Sequence, residues 1–296
     1  MASAAASTLP ASARKVLESP WRMALGRLGK NRLAVASGLF LGLLALVAVF
    51  GPMALPYSYD EVNLPDALSP PSARHWLGTD ALGRDLLARL LFGARVSLAI
   101  GVVATLVSLV IGVSYGAVAG YFGGRLDNLM MRFVDILYGM PYMFVVILIV
   151  MIAGRSIVNL FVALGAVQWL TTARIVRGQV VSLREREFVE AARLVGASTA
   201  RLVFRHIVPN LLGVVIVYAT LNVPAVMLQE AFLSFLGLGL RPPIVSWGVL
   251  LHEAQNVRTV AMHPWLLFPT IFVIITVLSF NLMGDGLRDA ADPYKR

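Results

Sequence analysis

"VSLAIGVVATLVSLVIGVSYGAVAG", residues 96 to 120, carries not one Asp, Glu, Lys or Arg. The hydrocarbon core of a bilayer is about 30 Å thick, and a helix rising about 1.5 Å per residue crosses it in about 20 apolar residues. An unpaired backbone group there costs several kcal/mol, so such a stretch takes the form that pairs its own backbone, a helix. Residues 96–120 are therefore read as a membrane span. Gly112, Gly116 and Gly120 fall four apart on one face of that helix, which lets a neighbouring backbone come close. Gly38 and Gly42 repeat the spacing nearer the start of the chain.

Five further stretches pass the same test, at 33–55, 133–153, 156–173, 211–236 and 264–284. Of the 296 residues, 58% are hydrophobic and 14% charged, with a mean hydropathy of +0.78, which is not the balance of a soluble domain. The predicted fold class is an all-α membrane protein with six transmembrane helices. Its first span is longer than the apolar region of a signal peptide and reads as a retained anchor.

Orientation follows from the basic residues, which are held on the cytoplasmic side of short loops. Arg14, Lys15, Arg22, Arg27, Lys30 and Arg32 precede span one, and Arg174, Arg177, Arg184, Arg186, Arg193, Arg201 and Arg205 lie between spans four and five. The opposite loops are poorer in them, so both termini are expected in the cytoplasm. The chain then divides into a cytoplasmic tail 1–32, a first helix 33–55, an extracytoplasmic loop 56–95, a five-helix core 96–284 that includes a cytoplasmic loop 182–210, and a cytoplasmic tail 285–296. The net charge of +9 belongs to this asymmetry, and no nucleic acid is expected as a partner.

Within loop 56–95, Leu86, Leu87, Leu90 and Leu91 form one apolar stripe. They predict an interfacial helix capped by Asp80 or Thr79 and leading into span two. Two carboxylates fall inside spans, Asp135 and Glu230. A charge at the bilayer centre costs upward of about 2.5 kcal/mol, so both are candidate pathway residues, although each lies near a span end.

Signs of catalysis are absent. The chain has no cysteine, which excludes thiol chemistry. Gly29-Lys30 lacks the rest of a phosphate loop, with Ala24 and Asn31 where Gly and Ser or Thr would stand. His252-Glu253 lacks the second His of a zinc helix, with Asn256 in its place, and the remaining His75, His206 and His263 are scattered. No catalytic residue, metal ligand or bound cofactor is expected.

"EFVEAARLVGASTARLVFRHIVPN", residues 187–210, is different. As a helix, 187–195 gathers Phe188, Ala191, Ala192 and Val195 on one face and Glu187, Glu190 and Arg193 on the other. Gly196 fits the residue after the helix, where a positive φ costs glycine nothing, and Ser198 can cap a second short helix that stops before Pro209. An amphipathic helix on lipid is one reading. The two alanines favour another, a helix seated in a groove of a partner protein.

Glu190-Ala191-Ala192, Gly196 and the ending His206-Ile207-Val208-Pro209 resemble the EAA loop of the permease subunits of ABC importers. The stretches 77–101, 233–251 and 284–296 resemble the C-type permeases of dipeptide and oligopeptide importers, and the likeness covers roughly residues 20 to 296. His206 and Val208 depart from the general pattern, which has Ile and Leu there, in the manner of the peptide branch. The resemblance implies a subunit of an inner-membrane importer in which Glu190, Ala191, Ala192, Gly196, Ala197 and Pro209 form a coupling helix and its turn. It implies as partners a second permease, two cytoplasmic ATPases that hold ATP and Mg, an extracytoplasmic binding protein and membrane lipid. Nickel and glutathione importers share this permease type. An ion-coupled secondary transporter would show mid-membrane carboxylates and an inverted repeat, and no convincing repeat is present.

Overall fold

The structure is a computed structural model that describes residues 26–291. The expected tails therefore lie partly outside the described residues, with Arg14, Lys15 and Arg22 on one side and residues 292–296 on the other. Helix α1 spans Arg32–Ala54 and is capped by Asn31, whose Oδ1 accepts from the Ala34 N–H at 3.1 Å. Helix α2 spans Leu86–Phe122, α3 Gly124–Tyr138, α4 Tyr142–Ala153, α5 Ile157–Leu183, α6 Glu187–Leu194 and α7 Thr199–Phe235. Two short helices, α8 at Trp247–Glu253 and α9 at Val257–Met262, precede α10 at Pro264–Ala291. Five of these helices are each long and apolar enough to cross a membrane, and α3 with α4, bent by 81°, passes the same test when the two are taken together.

That bend corrects the expected straight span at 133–153. Pro141 has no N–H to continue the ladder, and its ring drives the preceding residue out of helical geometry. The Gly139 N–H still reaches the Asp135 carbonyl at 3.0 Å, after which the chain turns and restarts at Tyr142. The two helices taken together still pass the hydropathy test for one span, so that test does not mark the break.

The expected interfacial helix is also different. Leu86 and Leu90 are buried in the opening turns of α2, which runs on through span two without interruption, about 55 Å at 1.5 Å per residue. Its cap is Asp85, which accepts from the Ala88 N–H at 2.7 Å. Thr79 and Asp80 instead tie the preceding loop together. The Thr79 hydroxyl donates to the Asp66 carbonyl at 2.5 Å, and Asp80 receives Arg84 Nε at 2.7 Å and a guanidinium nitrogen of Arg89.

The glycine stripe of α2 does bring two backbones together. A Cβ built on Gly112 would lie 2.5 Å from the Thr172 Cβ, one on Gly120 2.7 Å from the Arg177 carbonyl oxygen, and one on Gly116 against the Ala173 carbonyl oxygen, so α5 lies directly on this face. In lipid the gain is close van der Waals contact, since hydrocarbon outside is as apolar as the core. Span one behaves otherwise. A Cβ on Gly42 would meet nothing within 4 Å, and α1 leans on α10 through Ala34, which faces Gly286.

Loop 55–85 and segment 236–263 gather at one end of the bundle. Trp247 is buried there, its indole N–H donating to the Leu90 carbonyl at 2.9 Å and its ring lying over Gly93. Glu253 holds both Arg84, at 3.2 Å, and Arg89, at 2.5 and 3.0 Å. The conspicuous stretches 77–101 and 233–251 are thus halves of one packed unit. Helix α6 lies at the opposite end, beside the last turns of α2 and α5.

Candidate functional site

The elements around α6 explain its position. Helix α5 continues to Leu183, ten residues beyond the expected span end at 173, before Arg184 turns the chain. Val189, fully buried, fixes α6 into a cluster formed by Val180, Leu202, Val203 and Ile207, with Ala192 and Ala197 packed at its edge. The C-terminal end closes with two reverse hydrogen bonds, Gly196 N–H to the Arg193 carbonyl and Ala197 N–H to the Ala192 carbonyl, both 3.0 Å. Gly196 has φ +85 as expected, and a Cβ there would meet nothing within 4 Å. The demand for glycine at this position is one of backbone conformation alone.

Two expectations for this stretch are corrected. Ser198 stands at the N-cap position but makes no side-chain bond there. The helix that follows does not stop before Pro209; it continues to Phe235 as α7. The passage is made by a π-helical segment at Leu202–Ile207, in which the Val208 N–H reaches back five residues to the Val203 carbonyl. A regular helix would require a hydrogen bond that Pro209 lacks and would press its ring on a carbonyl, whereas a wider turn just before it relieves both. Asn210 Nδ2 adds a bond to the His206 carbonyl at 2.6 Å.

The apolar face read from sequence is divided by the fold. Ala192 turns toward the chain's own core, while Phe188, Ala191, Leu194 and Val195 turn outward, Leu194 and Val195 being 88% and 89% exposed. Sequence reasoning missed Val189 as the anchor and Leu194 as part of the outer surface. Glu187, Glu190 and Arg193 are exposed around that surface, and Pro209 lies exposed at the base of α7. An apolar knob held rigidly on its inner side is suited to enter a complementary groove.

A second feature lies at the bend between α3 and α4. A cleft of about 360 Å³ opens there, lined by Tyr138, Tyr142, Gln168, Thr171 and Gln229 among apolar neighbours. Gln168 Nε2 donates to Gln229 Oε1 at 3.0 Å, joining α5 to α7. At its edge Arg174 bonds Asp135 at 2.6 Å and lies 4.2 Å from the centre of the Tyr138 ring. Asp135 is thus exposed on this polar face. Glu230 is not: it is 1% exposed and accepts from the hydroxyls of Ser234 and Ser246 at 2.7 and 2.6 Å, clamping α7 to the segment before α8.

Residues 112–296 match the family described as the binding-protein-dependent transport system inner membrane component. The chain belongs to that family. Residues 19–71 match a second description, the N-terminal transmembrane domain of oligopeptide transport permease C. Among relatives, the oligopeptide transport system permease protein of Escherichia coli is 50% identical over 94% of this chain and 92% of its own length. The dipeptide transport system permease protein of Bacillus subtilis is 46% identical over 94% of this chain and 86% of its own length. A glutathione transport system permease protein of Pectobacterium atrosepticum is 39% identical over 97% and 95%. This inner-membrane transport family is thus represented from the glycine-packed helices of the core through α6 to the end of the chain.

Proposed function

We propose that this chain is one of two membrane subunits of an ATP-driven importer of di- or oligopeptides, with both termini in the cytoplasm. The second permease subunit completes the pathway. Two ATPase subunits, which hold ATP and Mg, dock below the two permeases, one of them on α6, and a binding protein delivers cargo at the Trp247 end. The observation that supports this reading is the outward face of α6, with Leu194 and Val195 exposed beyond the spans on a helix fixed from behind by Val189. Motion of the ATPases would displace α6, and α6 is packed on the start of α7, so the displacement passes into the bundle as a choice between two packings. Glu190, Ala191, Ala192, Gly196, Ala197 and Pro209 form and shape this coupling element.

The absence of cysteine supplies the test. Ala191→Cys in the assembled complex is expected to crosslink to an ATPase subunit with a yield that changes when nucleotide is added. Crosslinks to lipid alone would return α6 to a surface helix and reopen an ion-coupled mechanism, which uptake in ATP-depleted vesicles then detects. Glutathione and nickel compete with peptide uptake in the same vesicles if the cargo is one of them.

A further inference from the structure

The outer surfaces of the spans are apolar almost throughout, as at Leu39, Leu43 and Phe50 of α1 or Ile274 and Leu278 of α10. The face around the α3–α4 bend breaks this rule. Gln168, Thr171 and Arg174 recur at i, i+3 and i+6 along α5, Asp135 and Tyr138 approach from α3, and Gln229 from α7. Arg174 and Asp135 stand at the ends of the expected spans, but Gln168 and Thr171 lie one to two turns deeper on the same face, and a polar face of this length turns toward water or protein and away from lipid.

We infer that this cleft is a wall of the translocation pathway and that the Gln168–Gln229 pair is a contact point for the amide backbone of passing peptide, an inference that rests on the transport reading above. Each primary amide carries two N–H donors and a carbonyl acceptor, and the 3.0 Å bond between them uses one donor and one lone pair. The pair is thereby held in a fixed orientation with donors and acceptors remaining on both sides. A peptide backbone presents the complementary groups at every residue, whatever its side chains. The Tyr142 hydroxyl, which lines the same cleft, is buried without a hydrogen-bond partner and supplies one more group to be satisfied.

The rest of the lining fits an undiscriminating route. Leu137, Met140, Val167 and Leu170 offer apolar surface, and a methionine adapts to differing shapes. No charged side chain lines the cleft itself, and the charges at its edge, Asp135 and Arg174, neutralise each other. A neutral amide pair holds a charged or uncharged peptide weakly, and weak contact is what passage requires, because a site must release what it binds.

The test uses the complete complex in vesicles, with ATP-dependent peptide uptake by the wild type measured first. If the wild type moves no peptide, the transport reading fails. Given wild-type uptake, Gln168→Cys and Gln229→Cys are treated with a membrane-impermeant methanethiosulfonate, in nucleotide-free and ATP–vanadate-trapped complexes, with Leu43→Cys as the lipid-facing control. Both positions are expected to react while Leu43→Cys does not. Their rates should differ about tenfold between the two states, since a thiol loses thiolate character on passing from wet to dry surroundings, and added peptide should slow them. Unreactive thiols, or rates indifferent to both state and peptide, overturn the inference. As a second reading, Gln229→Leu should raise the peptide KM of uptake by about tenfold, the upper range for one neutral hydrogen bond, while ATPase stimulation by loaded binding protein persists. An unchanged KM counts against the contact.

Discussion

Arg177 grips Asp127 with two nitrogens, Nε lying 3.0 and 3.2 Å from the carboxylate oxygens, and so fastens α5 to the first turn of α3. Asp127 is buried, whereas the Arg177 side chain keeps part of its surface. Hydrogen bonds to charged groups contribute about 1.5 to 3 kcal/mol each, toward the lower figure when one partner is partly exposed. Asp127→Ala should lower the Tm of the detergent-solubilised complex and expose the 123–127 turn to protease. An unchanged Tm would show that the glycine contact between α2 and α5 holds α3 without this pair.

That glycine contact can be tested by comparison within the chain. At Gly116 an added Cβ runs into the Ala173 carbonyl oxygen, while at Gly42 it meets open space. Overpacking costs about 1 to 3 kcal/mol where neighbours are side chains, and here the neighbour is backbone, which cannot rotate aside. Gly116→Leu is expected to remove folded protein from the membrane and Gly42→Leu to leave its level unchanged, as read by fluorescence-detected size exclusion. Equal behaviour of the two would mean that the stripe does not govern packing.

The turn at Gly196 isolates a backbone effect. With φ at +85 and no atom near the absent Cβ, Gly196→Val is strained by about 1 to 3 kcal/mol through conformation alone, and Gly196→Asn by less. The valine variant should hydrolyse ATP with reduced uptake per ATP, and the asparagine variant should lie between it and wild type. A wild-type ratio in Gly196→Val would remove the requirement for this turn in coupling.

The two alanines of α6 separate docking from folding. Ala191 faces outward and Ala192 packs inward beside Val189. Ala191→Trp should abolish stimulated ATPase activity with the membrane level intact, whereas Ala192→Trp should reduce the membrane level as well. If both variants keep the wild-type level and activity, α6 is not the docking element.

The spans were legible because lipid imposes one requirement on every segment, and the left-handed turn at Gly196 because few residues accept positive φ. The break in span three was not, since a span-length hydropathy average passes over Gly139 and Pro141. The division of the α6 face depends on which partner helix lies beneath it. Phe188 and Val189 are adjacent and both apolar, and only the cluster around Leu202 and Ile207 decides that Val189 is the buried one. Gln168, Thr171 and Arg174 did leave a signal, polar residues at helical spacing near the end of an apolar run, but their meeting with Gln229 requires the packing of α7 against α5.

The π-helical segment lies inside α7 and carries that helix past Pro209 without a break. From Thr199 to Phe235 the chain is one continuous helix, interrupted in its ladder only by Pro209 and Pro224. Leu202, at its foot, and Gln229 therefore stand about 40 Å apart on a single shaft. A tilt of about five degrees at the foot swings the far end by roughly 3 Å, comparable to the length of the Gln168–Gln229 hydrogen bond. A tilt of that size at the foot would be enough, by leverage alone, to part the two amides.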